Sequence, residues 1–262
     1  MLFIYGTCYN NKNRIRECLE SIKDINYSKI FIVDNNSTDG TYEFLEDNKD
    51  KYKLTIKRLK CNRGIGRQKA MEMAMDISNS DDYLMTMDFD TIYDISLVNL
   101  INEIIKKRYK GCVFNNYLCL RDLNVITWKP LNNGEDWERN ADFIANGYKV
   151  FDMKTKSLNE PVAGNRDKRY ANGINYYYRI FKNAVELQKA WCFKSYNEYY
   201  QHVNNNKRIF MMLPYLIAKL QKNYCHDNIL NNNAYVKKNR ITIESIQDID
   251  EYLYKNNRGE TK

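Results

Sequence analysis

Asp88 and Asp90, which are separated by one residue, follow an apolar run in this sequence and could hold a metal ion. Carboxylate oxygens suit a hard divalent ion, Mg²⁺ or Mn²⁺, that also binds phosphate oxygens. An isolated Asp-x-Asp pair is also common in solvated turns. Its position directly after a strand predicted at Tyr83–Met87 favours the metal site.

A second acidic cluster lies at Gly134–Glu138, with Glu135 and Asp136 inside it. Acidic residues stabilise helix N-termini, so helix capping explains the cluster as readily as catalysis does. A carboxylate here could also act as a general base that takes a proton from a hydroxyl group. Trp128 and Trp137 flank the cluster and could stack on a sugar ring, although an aromatic pair more often belongs to a core.

These residues need a scaffold, and the first 120 residues predict an α/β fold. Short apolar runs, which we interpret as strands, alternate with segments of helical period. The predicted strands are Leu2–Thr7, Lys29–Val33, Leu54–Leu59, Tyr83–Met87 and Cys112–Leu118. Helical crossovers make neighbouring strands parallel and bring the loops that follow them to one edge, where α/β proteins bind ligands.

Polar loops follow the predicted strands at this edge. Their notable residues are Thr7, Tyr9, Asp34, Asn35 and Asn62, followed by Arg67 and Lys69 at the start of a predicted helix. Basic residues at a helix N-terminus could bind phosphate. The Asn62-x-Gly64-x-Gly66 spacing lacks the nucleotide-loop signature, however, and by itself is more often a turn.

Taken in order, these motifs resemble the family 2 inverting glycosyltransferases over residues 2–152. The matching segments are Phe3–Asn10, Ile30–Thr41, Asn62–Ala70, Asp88–Asp90 and Gly134–Glu138. The resemblance implies the GT-A fold, a Rossmann-like, mostly parallel sheet flanked by helices. It also implies inverting transfer of a sugar from a UDP-, GDP- or dTDP-linked donor to an acceptor hydroxyl on a glycan, lipid or protein, with Mn²⁺ or Mg²⁺.

The resemblance further implies roles for individual residues. Asp136 would be the catalytic base with Glu135 beside it, and Asp90 would bind the metal together with Asp88. The donor site would comprise Thr7, Tyr9, Asp34, Asn35, Asn62, Arg67, Lys69 and Asp88. From the residues themselves, we predict that Trp128 and Trp137 bind the acceptor. Asn35 stands where the family often has aspartate, which leaves the choice between uridine and guanosine open. Lys69 stands where arginine is usual, which replaces a bidentate fork with a point charge.

The net charge of +8 is concentrated near the C-terminus, because residues 161–240 contain 14 Lys and Arg against 4 Asp and Glu. We therefore predict a catalytic domain at 1–160 and a basic, tyrosine-rich, mainly helical C-terminal region at 161–262. That region could be a solvated helical cap or a surface for anionic lipid or a lipid-linked acceptor. The membrane interpretation predicts an apolar face with basic flanks, made of Phe210, Met211, Leu213, Leu216, Ile217, Arg208, Lys219 and Lys222.

Other sequence features bear on metal binding and on where in the cell we expect the protein to be. Seven scattered cysteines without a Cys-x-x-Cys motif predict neither a zinc site nor a disulfide framework. The N-terminus lacks signal-peptide features, and the apolar run Ile209–Ala218 is shorter than the ~20 residues that span a membrane. We expect a cytoplasmic protein, peripheral at the inner face of the membrane if the basic region binds lipid. His226 could complete the metal shell, although a lone histidine is more often a surface residue.

Two alternatives stay open from the residues alone. A nucleotidyltransferase would also combine an α/β sheet with paired carboxylates, but it would need a Gly-rich basic loop where this chain has Tyr9–Lys12. A non-catalytic RNA-binding or scaffolding protein could use the basic, aromatic region. Because the chain has no RNA-recognition signature, we expect no specific nucleic-acid partner.

Overall fold

The computed structural model describes residues 1–153, 174–203 and 208–257, apart from the side chains of Asn116, Asn257 and residues 208–210. Its N-terminal part alternates strands and helices as the sequence predicts. In chain order these are β1 (Leu2–Cys8), α1 (Lys12–Ser21), β2 (Lys29–Asp34), α2 (Thr41–Asp47), β3 (Leu54–Arg58), α3 (Arg63–Met75), β4 (Tyr83–Asp88) and α4 (Ile95–Lys107). The four strands are parallel and lie in the order β3-β2-β1-β4.

The sheet is covered on both faces, which explains why its central strands are continuous apolar runs. Successive side chains of a strand point to opposite faces. Leu2 and Ile4 of β1 pack in one core cluster with residues of α1 and α4, whereas Phe3 and Tyr5 pack in another with residues of α3. The helices thus cover both faces of the sheet, whereas the ends of its strands stay uncovered and can hold polar side chains.

The predicted strand at Cys112–Leu118 is wrong as a single element. The structure has β5 (Cys112–Val113), a 3₁₀ turn at Asn115–Tyr117, and then β6 (Cys119–Leu120). Tyr117 has a φ of 55°, a left-handed conformation that an extended strand cannot contain. The turn separates the two pieces, so β6 joins the large sheet antiparallel to β4 while β5 enters a second sheet.

The second sheet consists of parallel strands in the order β5-β7-β8, where β7 is Lys149–Met153 and β8 is Ile241–Ile243. Helix α5 (Glu135–Ala145) precedes β7. The remaining helices are α6 (Ile174–Trp191), α7 (Tyr196–Val203), α8 (Arg208–Lys219), α9 (Asn232–Asn239) and α10 (Ile246–Asn257). The C-terminal region is thus mainly helical, and its one described strand extends the sheet of β7.

The boundary that the sequence predicts at residue 160 falls in residues 154–173, outside the described residues. Among the described helices, none combines the length and the apolar character needed to cross a bilayer.

The cysteine pattern predicts no disulfide framework, but the described residues contain one disulfide that it did not indicate. Cys192, just after α6, is bonded to Cys225, which lies 33 residues further along the chain. Residues 220–231, which connect α8 to α9, are called the segment after α8. This segment contacts the end of α6, as shown by the hydrogen bond from Tyr224 N–H to Lys189 O. Because long-range packing creates this proximity, cysteine spacing alone did not indicate the bond.

Candidate active site

The carboxyl ends of β1 to β4 border a cavity of about 1080 Å³. The parallel register places Thr7 beside Asp88, and Cys8 beside Asp34. Residues from every polar loop of the sequence analysis contribute to its wall, and these are Thr7, Tyr9, Asn35, Asn62, Asp88 and Asp90. The cavity therefore lies at the edge that the parallel topology predicts.

Hydrogen bonds to the backbone hold several of these side chains. The Thr7 hydroxyl donates to Val33 O at 2.9 Å, and Asn35 Oδ1 accepts from Cys61 N–H at 2.8 Å. Asn62 caps α3 by accepting from the Ile65 N–H at 2.8 Å. These side chains are therefore positioned by the fold itself, before any ligand binds.

The glycines of the Asn62-x-Gly64-x-Gly66 motif allow close packing. A Cβ on Gly64 would lie 1.8 Å from Lys129 O, and the Gly64 N–H donates to Leu131 O at 2.8 Å. The motif lets the start of α3 contact residues 129–131 directly. A Cβ on Gly66 would lie 2.8 Å from Thr7 Oγ1, so close packing explains both glycines without a phosphate.

Asp34 and Lys69, both predicted in the donor site, lie away from this cavity wall. Asp34 is fully buried, and its carboxylate accepts the Ser37 N–H at 2.9 Å, as in a turn cap. The Lys69 ammonium lies 2.9 Å from Glu72 Oε2, one turn along the exposed part of α3. The structure gives both residues local partners.

Arg67 links the two acidic motifs. Its guanidinium is almost completely buried, with Nη2 2.5 Å from Asp88 Oδ1 and Nη1 2.9 Å from Glu135 Oε1. Burial by itself lowers the pKa of Arg67, but the Asp88 and Glu135 carboxylates outweigh it and hold that pKa above its ordinary value. Arg67 therefore remains a cation that fixes the strand end of β4 against the start of α5.

A smaller cavity of about 320 Å³ borders this ion pair. Asp88 and Arg67 form part of its wall, together with Asp136, Trp137 and Tyr117. The Tyr117 hydroxyl donates a hydrogen bond to the Asp136 backbone oxygen, which fixes the first turn of α5. Asp88 thus borders both cavities, with Asp90 on the larger one and Asp136 on the smaller one.

The two tryptophans have different environments. Trp137 is half-buried on the wall of the smaller cavity. Trp128 is 4% exposed and belongs to the core cluster of Phe3 and Tyr5. The fully buried Arg139 guanidinium lies 4.4 Å from the centre of the Trp128 ring. Trp128 is therefore a core residue, as aromatic pairs more often are.

Sequence reasoning missed the contribution of α6 to the larger cavity. Tyr178, Arg179 and Lys182 of this helix form part of its wall, and Arg63 adds another cation there. The sequence does show the positive charge of residues 161–240. It does not show which part of the protein those cations face. In the structure, part of that charge faces the cavity that contains Asp90.

His226 has a different position from the one predicted. Its Nε2 lies 3.3 Å from Asp142 Oδ1, on α5, and His226 is not part of either cavity wall described above. The prediction that it completes a metal shell with Asp88 and Asp90 is therefore not supported by its placement.

Comparisons with known proteins agree with the family predicted from the sequence. The family model described as Glycosyl transferase family 2 matches residues 4–166, more than half of the chain. This chain belongs to glycosyl transferase family 2. The membership confirms the predicted family, enzyme class and use of a nucleotide-sugar donor. It leaves the nucleotidyltransferase and RNA-binding alternatives without support.

Among curated family members, a poly-beta-1,6-N-acetyl-D-glucosamine synthase from Staphylococcus epidermidis is 30% identical over 113 residues. That alignment covers 42% of this chain and 26% of the relative, so the chain matches about a quarter of the relative's length.

Solved structures confirm the GT-A fold. S. aureus TarS in complex with UDP-GlcNAc gives a TM-score of 0.51 at 14% identity, covering 83% of this chain and 79% of that one. TarS in complex with UDP gives 0.50 at 14% identity, covering 83% and 81%.

Proposed function

We propose that this glycosyltransferase moves a sugar from a nucleotide-diphosphate donor to an acceptor hydroxyl with inversion, using a divalent metal at Asp88 and Asp90 and Asp136 as the base. The observation that carries the proposal is the position of Asp88, which borders both the cavity of Asp90 and the cavity of Asp136. A donor in the larger cavity and an acceptor in the smaller one would therefore meet beside Asp88.

The larger cavity suits a nucleotide sugar. Its volume of about 1080 Å³ is at the upper end of small-molecule sites. Asn35, whose Oδ1 accepts the Cys61 N–H, can donate from its amide nitrogen to a base or ribose, and Arg179 and Lys182 offer positive charge to a diphosphate. We propose UDP-N-acetylglucosamine as the first donor to test, because TarS was solved in complex with it and the curated relative is a poly-beta-1,6-N-acetyl-D-glucosamine synthase.

The residues at the end of β4 fit a hard divalent ion. Asp90 and Asp88 supply carboxylate oxygens on the wall of the cavity, next to the space proposed for the diphosphate. Mn²⁺ or Mg²⁺ bound there would neutralise negative charge on the leaving group. Arg67 holds one oxygen of Asp88 in place, so the orientation of this carboxylate is set by the protein.

Asp136 supports the role of base by its position. It lies in the first turn of α5, on the wall of the smaller cavity next to the half-buried Trp137. An acceptor sugar stacked on Trp137 would place a hydroxyl near the carboxylate, which would take the proton as the bond to the sugar carbon forms. Glu135, by contrast, is fully buried and paired with Arg67, so we propose a positioning role for it.

Donor and metal binding can be tested by thermal unfolding with UDP-GlcNAc, GDP-mannose and a dTDP-sugar, each with and without Mn²⁺. Ligand at about 100 times its Kd stabilises the folded state by ~2.7 kcal/mol, which corresponds to roughly 5–10 °C here. We expect a shift of this size for one donor, only with Mn²⁺, and its loss in Asp90→Asn. Asp122→Asn, which changes an exposed carboxylate that lines neither cavity, is the matched control. An equal shift without Mn²⁺, or in Asp90→Asn, would contradict the metal assignment.

We also propose that α8 contacts an anionic membrane surface, where a lipid-linked acceptor would be found. Apolar side chains of α8 and of the residue after it form an exposed stripe, namely Met212, Leu213, Leu216 and Leu220, with Lys219 and Lys222 exposed nearby. The stripe differs in part from the predicted face. Met211 is buried and Ile217 is half-buried, and the side chains of Arg208 and Phe210 lie outside the described residues.

A further inference from the structure

Three side chains that are common metal ligands meet where α5 contacts the segment after α8. Glu138 and Asp142 are one turn apart on α5, and His226 follows the disulfide-bonded Cys225. One ligand atom from each of the three lies within 4.8 Å of those of the other two. The cluster combines two carboxylates with an imidazole from a distant part of the chain.

The carboxylate of Glu138 is buried without a hydrogen bond in the described part of the chain. Its side chain is fully buried, and neither carboxylate oxygen accepts a hydrogen bond from the described residues. Lys129 Nζ and His226 Nε2 are each 3.6 Å from Oε1, which is within ion-pair range but longer than a hydrogen bond. A buried carboxylate in this state is costly, whereas a bound cation would satisfy it.

The spacing of the three groups fits a small, tetrahedrally coordinated ion. Zn²⁺ binds nitrogen and carboxylate oxygen at about 2.0–2.2 Å, so neighbouring ligands of a tetrahedral site are about 3.3–3.5 Å apart. His226 Nε2 is 3.3 Å from Asp142 Oδ1 and 3.6 Å from Glu138 Oε1. These separations need little adjustment to accept the ion.

Lys129 completes the arrangement. Its Nζ lies 2.7 Å from Asp142 Oδ2, the oxygen that does not face His226. It can therefore stay in place and orient the Asp142 carboxylate while Oδ1 binds a cation, as second-shell partners of metal ligands do. In the metal-binding form both carboxylates are ionised, so together with Lys129 they carry one negative charge, which favours a divalent cation.

We propose that Glu138, Asp142 and His226 form a structural Zn²⁺ site that fastens the segment after α8 to α5. The site is distinct from the one proposed at Asp90. Successive α-helical residues are about 100° apart, so Glu138 lies about 200° around α5 from Asp136. The two acidic residues therefore serve opposite faces of the helix. The proposal does not depend on the proposed function.

Binding is tested with metal-free full-length protein titrated with Zn²⁺ by calorimetry, with Asp90→Asn present in every sample to remove the other proposed site. We expect one Zn²⁺ per chain and a loss of affinity of on the order of 100-fold in His226→Gln and in the isosteric Glu138→Gln. The chain has two histidines, and His202 is exposed on α7, so His202→Gln is the matched control. It should bind Zn²⁺ as the parent does.

A second measurement tests the site without changing its ligands, in case the variants do not fold. Zn²⁺ should shift the imidazole NMR signals of His226 in the protein with an intact cluster and leave those of His202 unchanged. Stoichiometric Zn²⁺ binding that persists in His226→Gln, signals of His226 that do not respond, or the lack of any binding at micromolar Zn²⁺ would each overturn the proposal.

Discussion

The carboxyl edge of the large sheet and the contact between α5 and the segment after α8 both gather carboxylates and cations, but they are assembled differently. At the edge, each side chain lies at or just after the end of its own strand, as Thr7 does near the end of β1 and Asp88 at the end of β4. At the α5 contact, Glu138 meets His226, a residue from a distant loop. The first arrangement follows from strand order, whereas the second depends on how the C-terminal region folds back.

The same difference separates two acidic residues of α5, Asp136 and Glu138. Asp136 borders a cavity and has its backbone oxygen fixed by Tyr117. Glu138 is enclosed, and burial raises its pKa to about 7. Asp136 is accessible to a substrate and Glu138 is not, so residues two positions apart on α5 should serve catalysis and structure respectively.

The largest expected effect comes from Asp136→Asn. Loss of a general base lowers the rate by about 10²–10⁴-fold, so sugar transfer to acceptor should fall by this factor while donor binding persists. The comparison variant Glu138→Gln should instead alter the Zn²⁺-dependent melting temperature, which Asp136→Asn should not. Radiolabelled sugar transfer and thermal unfolding measure the two effects. Undiminished transfer by Asp136→Asn would remove the base assignment.

The next effect concerns the disulfide that closes the C-terminal segment. In the chain-entropy estimate, a loop of this length makes the bond worth about 3–4 kcal/mol. Cys192→Ser should therefore lower the free energy of unfolding by this amount in urea under oxidising conditions, and reductant should have the same effect on the parent. Cys61→Ser, at a half-buried free cysteine, is the control. Equal stability of the parent with and without reductant would show that Cys192 and Cys225 are not bonded.

The smallest effect concerns membrane contact by α8. Leu216→Gln replaces an apolar side chain that is 51% exposed and should weaken binding to anionic liposomes by about tenfold at low salt. Ile77→Gln changes a side chain with 53% exposure just after α3 and should leave that binding unchanged. Co-sedimentation measures both. Equal losses in the two variants, or no sedimentation of the parent, would rule out α8 as the contact.

Much of the N-terminal fold could be predicted because its signals are local. The starts of β1, β2, β3 and β4 agree with the predicted strands. The central strands β1 and β2 give the clearest signal, because buried parallel strands are mostly apolar. The strand predicted at Cys112–Leu118 failed because the left-handed turn at Tyr117 has no apolar signature. In the site, six of the predicted residues do line the larger cavity, namely Thr7, Tyr9, Asn35, Asn62, Asp88 and Asp90. The burial of Asp34 and Trp128 could not be predicted, because it depends on neighbours far along the chain.

The amino-acid sequence by itself determined the alternation of strands and helices, and with it the edge where the polar loops meet. Hydrophobic period and strand order suffice for this, because a parallel crossover leaves few ways to arrange the loops. Only the tertiary structure decided that Arg67 joins Asp88 to Glu135, that α6 faces the larger cavity, and that His226 reaches α5. These contacts join segments far apart in the chain, and their geometry is set by packing against third elements, which spacing along the sequence does not encode.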